Sequence, residues 1–243
     1  TIIGHEFAGE IVEAEDEELI GRGAAVFPLL PCHTCTACRT GDYAQCSHYD
    51  YYGSRRDGAM AEYIAVKQQN LVLMPPGVSY KAAAMSEPAA VAYHAFQKTK
   101  TGQGDTLVIF GVGTIALLIA GWARENGVEQ IVLVARSQVK VEFAQKLGFL
   151  QTIDLNETDV QQYIQRVTKG QGADACIEGT GDSVPLELCC LCTRNFGRVV
   201  ALGNPEGEMT LSQKAYWQIL RRELQVVGTW NSSFNERQND WHE

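Results

Sequence analysis

The chain has 243 residues, 45% of them hydrophobic and 20% charged, with a formal net charge of -9. Those values fit a soluble globular protein of one or two domains with a real core. So acidic a chain repels phosphate backbones, which argues against a nucleic-acid partner.

The sequence opens at Thr1 with no basic, apolar leader, so it shows no evident signal peptide and reads as a piece that starts inside a domain, with a cytoplasmic setting expected. Residues 1–100 are rich in Gly, Pro, Tyr and short apolar runs, the texture of a β-rich, loop-rich unit. Candidate strands are Glu10–Glu13, Ala24–Phe27, Ala61–Val66 and Leu71–Met74, with Pro75-Pro76-Gly77 as a firm turn. Within this half, Cys32, Cys35, Cys38 and Cys46 follow a C-x2-C-x2-C-x7-C spacing. Four thiolates at such spacing suit one tetrahedral zinc in a closed structural site. An iron–sulfur cluster is the first rival, but the bacterial signature expects its fourth cysteine three residues on and followed by Pro. Disulfides are the second rival, disfavoured by a reducing compartment.

Arg55 and Arg56 sit in a Gly-flanked loop. Guanidinium forks suit phosphate oxygens, so one of them is a candidate ligand for a substrate phosphate; pairing with Asp57 or with loop carbonyls explains them equally well. Tyr51 and Tyr52 fit core or loop packing better than a substrate cleft. His94, on a helix predicted over Ala89–Phe96, reads as a packed histidine.

Beyond residue 100 the texture alternates between short apolar strands and helical patterns, which predicts a parallel, doubly wound sheet over 101–243. The expected strands are Thr106–Phe110, Ile131–Ala135, Thr152–Leu155, Ala175–Glu178, Gly197–Leu202 and Gln225–Thr229. The expected helices are Thr114–Asn126, Lys140–Leu147, Val160–Lys169, Pro185–Cys192 and Gln213–Arg222. The apolar run Leu107–Ala123 approaches the length of a membrane span, but Gly111 and Gly113 break it into strand, turn and helix. Cys176, Cys189, Cys190 and Cys192 read as small buried hydrophobes.

The first of these strands runs into Gly111-Val112-Gly113-Thr114-Ile115-Ala116, a G-x-G-x-x-A turn opening a helix. The first Gly allows the tight turn, the second lets backbone approach a pyrophosphate, and the small third residue lets helix meet strand. The helix N-terminus offers free N–H groups to phosphates. At the end of the second strand, where NAD enzymes carry an acid, stand Ala135, Arg136 and Ser137, with Lys140 a turn further on. The missing acid removes repulsion toward a 2′-phosphate and Arg136 can pair with it, so the cofactor is expected to be NAD(P) with a leaning to NADP.

Taken in order, GHEFAGE (Gly4–Glu10), the four-cysteine segment, GSRRDGAMAEY (Gly53–Tyr63), Ser86-Glu87-Pro88 and the Gly-rich turn resemble the medium-chain, zinc-dependent alcohol and polyol dehydrogenases. The resemblance implies a partial GroES-like β domain followed by a Rossmann domain, an α/β architecture. It implies that His5 and Glu87 are ligands of a catalytic zinc, that Glu6 reaches that metal directly or through water, and that the four cysteines hold a structural zinc. It further implies hydride transfer between a secondary alcohol of a small polyol, or a polyol phosphate of the galactitol 1-phosphate type, and NAD(P). Sorbitol- and threonine-type enzymes, or a non-catalytic NAD(P)-binding relative with only the structural zinc, are the other readings. Relatives pair through the last strand, so a homo-oligomer, dimer or tetramer, is expected. The family's third catalytic ligand, a cysteine upstream of Gly4-His5-Glu6, and its C-terminal segment have no counterpart in this sequence.

Overall fold

A computed structural model describes residues 1–242. The chain divides into two compact units: Thr1–Val91 with the stretch from Asn231 onward, and Ala92–Trp230. The sequence texture suggested a change near residue 100; the division between units falls after Val91, and the first unit also takes up the C-terminal stretch.

In the first unit, β1 (Ala8–Glu10), β2 (Gly23–Val26), β3 (Leu29–Leu30), β4 (Asp50–Tyr51) and β5 (Leu71–Leu73) are all short. β1, β2 and β5 form an antiparallel sheet in that order, and β3 pairs with β4. Ala25, Phe27, Leu29, Ala83, Ala90 and Trp241 make one small core, and Val26, Leu30 and Tyr52 another. Buried Asn70 fixes the chain between β2 and β3: its side-chain amide donates to the carbonyls of Phe27 and Leu29, at 2.6 and 2.9 Å. Two short helices, α1 (Thr36–Thr40) and α2 (Tyr80–Ala83), complete the loops.

Two strand expectations need correction here. The first strand covers Ala8–Glu10 rather than Glu10–Glu13; at Ile11 the pairing becomes irregular, its N–H bonding to Arg22 while its carbonyl accepts from Gly21, so two residues stand against one. Ala61–Val66 is no strand at all. The preceding residues Ala59 and Met60 donate to Gly4 and Ile3, after which the chain runs without a ladder partner, and Ile64 and Val66 only pack against the Val26, Leu30 and Tyr52 cluster. Apolar alternation without a partner strand does not make a sheet.

Helix α3 (Ser86–Thr99) precedes the second unit's sheet. That sheet contains β6 (Thr106–Phe110), β7 (Gln130–Ala135), β8 (Thr152–Asp154), β9 (Ala173–Glu178), β10 (Thr193–Ala201) and β11 (Gln225–Gly228). All neighbours are parallel, in the order β8-β7-β6-β9-β10-β11. This is the doubly wound dinucleotide-binding order, with the direction of winding switching between β6 and β9. The connecting helices are α4 (Thr114–Glu125), α5 (Gln138–Lys146), α6 (Val160–Val167), α7 (Ser183–Cys192) and α8 (Gln213–Arg221).

The central strands are buried on both faces, as parallel sheets require: every residue of β6 is buried. Helix α4 puts Ala116, Ile119, Ala120 and Ala123 on one stripe, the i, i+3, i+4, i+7 spacing, and its small side chains let it lie close to Leu107, Ile109 and Leu133. On the other face Val160 and Ile164 of α6 and Cys189, Cys190 and Cys192 of α7 pack against Val108, Val132 and Cys176. The last four cysteines are therefore core residues. No helix among the described residues is long and apolar enough to cross a membrane.

Candidate functional site

The cysteine segment is organised by its own backbone. Cys35 sits at the N-cap of α1, Cys38 lies within that helix, and Gly41 ends it in a left-handed conformation (φ 89°). Cys46 follows a short 3-10 turn and is buried. The four Sγ atoms come within 4.8 Å of one another, with Cys32 and Cys38 at 3.9 Å. A tetrahedron of sulfurs around zinc, with Zn–S bonds of about 2.3 Å, has edges of about 3.8 Å, so the donor set fits that ion in chemistry and in span. Donors already point at the sulfurs: Cys32 Sγ accepts from the Thr34 hydroxyl and the Cys35 N–H, and Cys46 Sγ from the N–H groups of Cys32 and His48. The Thr34 hydroxyl, followed by backbone N–H groups, holds the Cys32 thiol down near 5, whereas burial pushes Cys38 up to about 12. All eight cysteines are free thiols, so the disulfide reading finds no support.

A second cluster joins His5, Glu6 and Glu87, whose ligand atoms also lie within 4.8 Å of one another. His5 and Glu6 lie in the irregular segment before β1, with a bend at Glu6; Glu87 is the second residue of α3 and is 6% exposed. His5 Nε2 and Glu6 Oε1 are 3.9 Å apart and partly exposed. The Glu87 carboxylate accepts the Tyr51 hydroxyl at 3.2 Å, and the Tyr51 ring meets His5 edge-on at 5.6 Å. Burial pushes the Glu87 carboxyl up to about 7; the Tyr51 bond opposes this and the charge of Glu6 adds to it. Burial likewise pushes Tyr51 far up, so it stays a donor. One imidazole nitrogen and two carboxylates, one of them taken out of water, form a donor set suited to catalytic zinc. Tyr51, which the sequence reads as packing, touches both Glu87 and His5 of this cluster.

The two loop arginines are engaged elsewhere. Arg55 donates to the Tyr49 carbonyl at 2.7 Å and lies 3.7 Å over the Tyr49 ring. Arg56 pairs with Asp50 at 2.8 Å rather than with Asp57, which instead accepts the Ile2 N–H.

In the second unit a cavity of about 340 Å³ opens at the switch between β6 and β9, lined by Gly111, Gly113, Arg136, Lys140 and Thr180 among others. Gly111 has φ +118°, a conformation closed to side chains, and turns the chain out of β6. A Cβ at Gly113 would meet nothing within 4 Å, so free space lies where a pyrophosphate would approach. Thr114 begins α4 and Ala116 is buried. The residues thus fit a dinucleotide. The loop after β9, which sequence reasoning did not mark, supplies the opposite wall. Buried Glu178 ties it down by accepting from the N–H and hydroxyl of Thr180 and the N–H of Gly181. An acid at a strand end followed by Gly-Thr-Gly was the available signal.

Comparison with known proteins agrees with both units. Residues 1–76 match the alcohol dehydrogenase GroES-like domain model, and residues 111–243 match the zinc-binding dehydrogenase model. The chain therefore belongs to the zinc-dependent, medium-chain alcohol and polyol dehydrogenase family. Among its relatives, galactitol 1-phosphate 5-dehydrogenase of Escherichia coli is 32% identical over 231 residues, covering 94% of this chain and 67% of that one. The crystal structure of that E. coli enzyme superposes with a TM-score of 0.92, over 99% of this chain and 71% of that one, at 32% identity. A sorbitol dehydrogenase of Halalkalibacterium halodurans is 32% identical, covering 98% and 69%. A zinc-binding dehydrogenase from Sinorhizobium meliloti, solved with NADP bound, has a TM-score of 0.87 and 29% identity, covering 96% of this chain and 69% of that one. The family and the α/β architecture expected from the motifs are thus the ones found.

Proposed function

We propose that the protein oxidises a secondary alcohol of a polyol phosphate, of the galactitol 1-phosphate type, to the ketone with NAD(P) as hydride acceptor. The observation that carries this is the convergence of His5, Glu6 and Glu87 on one point, in a chain 32% identical to a galactitol 1-phosphate 5-dehydrogenase. Bound at His5 and Glu87, zinc would supply Lewis acidity toward a substrate hydroxyl, while the nicotinamide takes the hydride.

The chain's own groups do the rest. His5 offers an imidazole nitrogen, and Tyr51 fixes the orientation of Glu87 by donating to one of its oxygens. Glu6, more exposed, stands where it can reach the metal or a water beside it. Cys32, Cys35, Cys38 and Cys46 hold a separate structural zinc. Gly111 and Gly113 admit the pyrophosphate to the N-terminus of α4, where Thr114 and the backbone up to Ala116 supply N–H donors. Arg136 and Lys140 face the adenosine end and favour a 2′-phosphate, which supports a leaning to NADP. Arg55 and Arg56 keep guanidinium donors beyond those their present partners occupy and are the candidates for the substrate phosphate. In domain terms, the unit containing Thr1–Val91 carries the metal chemistry and Ala92–Trp230 the cofactor. The exposed edge strand β11 is the place where a second copy would pair.

Metal analysis together with steady-state kinetics tests this. Two zincs per chain are expected, with His5→Ala and Glu87→Ala each losing one and Cys38→Ser losing the other. Galactitol 1-phosphate should be oxidised with a higher kcat/KM than sorbitol or threonine. One zinc per chain in a folded, intact protein, with no turnover of any polyol, would indicate the non-catalytic relative instead. Unchanged KM for the phosphorylated substrate in both Arg55→Ala and Arg56→Ala would remove the arginines from the account.

A further inference from the structure

Arg136 does not face the cofactor cavity alone. Its Nη2 donates to the Asp182 carboxylate at 2.7 Å, across 46 residues of sequence. Asp182 is also the N-cap of α7, where its other oxygen accepts the Val184 N–H at 2.9 Å. One carboxylate thus both starts a helix and neutralises the only guanidinium that lines this cavity among the described residues. The backbone on the other side is fixed too, since Asn156 donates to the Arg136 carbonyl at 3.0 Å. Both charged side chains are about half exposed, so either can exchange its partner for an incoming ligand.

From this we propose that Asp182 is a specificity-determining residue for the cofactor: it masks the charge of Arg136 and so holds down the protein's preference for a 2′-phosphorylated dinucleotide. The proposal rests on the reading of Arg136 as the 2′-phosphate ligand. The acid that NAD enzymes carry at the end of the second strand is replaced here by Ala135, but a negative charge returns to the same corner from the loop after β9. A 2′-phosphate carries close to two negative charges and must displace or share the Asp182 pair. A dinucleotide without that phosphate meets no such competition. The Val184 N–H, and Arg136 after it, hold the Asp182 carboxyl below the usual carboxylate range, so the mask is charged at neutral pH.

The test uses two substitutions that keep the helix cap while removing the charge, Asp182→Asn and Asp182→Ser, because Asn and Ser cap as well as Asp. Binding of NADPH and of NADH to the intact protein is read from nicotinamide fluorescence. Removing a unit negative charge a few ångströms from a dianion at the protein surface is worth about tenfold in affinity. Both variants should therefore raise the NADPH-to-NADH affinity ratio about tenfold, through NADPH, with NADH binding held within about twofold of wild type. Arg136→Ala should lower the ratio. If Arg136→Ala lowers it but both Asp182 variants leave it unchanged or reduce it, Asp182 is a tether rather than a mask and the proposal is overturned, while the phosphate role of Arg136 stands. If Arg136→Ala leaves the ratio unchanged, the NADP reading itself has failed, and the mask goes with it.

Discussion

The unit built on Ala92–Trp230 is ordered by apolar packing on both faces of a six-stranded parallel sheet, with Ile109, Ile119, Leu133, Ile164 and Ile177 fully removed from water. The unit containing Thr1–Val91 has only short strands and two small clusters, and its cysteine segment is a loop wound around four sulfurs. The buried acids show the same contrast. Glu178 of the sheet accepts three hydrogen bonds from its own loop, whereas Glu87 accepts one, from Tyr51, and sits beside a second carboxylate. The sheet packs apolar side chains on both faces, whereas the first unit gathers two clusters of metal-donor groups that a bound cation would stabilise. Metal held at those clusters would add order where apolar burial supplies little of it.

Removing metal should separate the two units most strongly. Structural zinc in a four-thiolate site contributes on the order of 10 kcal/mol to ordering the segment that holds it. Chelation, or Cys38→Ser, should open residues 32–46 to protease while amide exchange in β6, β7 and β9 stays slow. Uniform loss of protection in both units would show that they do not differ in the way described. The complementary change is Ile109→Ala at the centre of β6, where the side chain is fully buried. It should cost about 3 kcal/mol in denaturant unfolding of the sheet, from lost transfer energy plus a cavity. Zinc content should stay unaltered; a drop in bound zinc would mean that the two units are not independent in stability.

The pH response of Glu87 sharpens the contrast further. Its carboxyl is pushed from the ordinary 4.5 to about 7 by burial, so the folded metal-free protein favours the protonated acid. A raised carboxyl contributes stability that is fully present below the unfolded value and is lost as pH rises through 7. A shift of this size is worth about 3 kcal/mol between pH 4.5 and 8. Metal-free protein should weaken over that range, and Glu87→Gln, which keeps an acceptor for Tyr51, should flatten the profile. Parallel profiles for the two proteins from pH 5 to 8 would show that the carboxyl is not strained. Zinc should cancel the decline by favouring the ionised form.

What the sequence made legible follows the range of the interactions. The cysteine site closes within fifteen residues and is written in its spacing. The strand–helix alternation of the second unit and the turn at Gly111 and Gly113 are also local, so element type and order came through, with edges off by a few residues. Hidden were the pairs fixed by tertiary packing: Tyr51 with Glu87, Arg136 with Asp182, and Asn70 with Phe27 and Leu29. The misread Ala61–Val66 has the same origin, since a strand is decided by whether a partner edge is present. The His5 and Glu87 assignments came from the family resemblance and not from any local spacing.

The smallest expected effect tests whether the sheet unit's order also depends on its local signals. Helix α6 carries its buried residues, Val160 and Ile164, on one face, and Asp159 caps it by accepting the Gln162 N–H at 3.0 Å. The Gln162 side chain returns a second bond to the same carboxylate at 2.9 Å. Asp159→Ala removes both and leaves an N–H of the first turn to water, at a cost of about 1 kcal/mol. For a chain of this size that lowers Tm by about 2–4 °C. The loss should persist after chelation, because Val160 and Ile164 pack with Val108 and Val132 of the sheet. Asp159→Asn, which keeps the acceptor, should recover most of it. If Asp159→Ala and Asp159→Asn melt alike, the cap is redundant, and packing of α6 alone sets the order of that face.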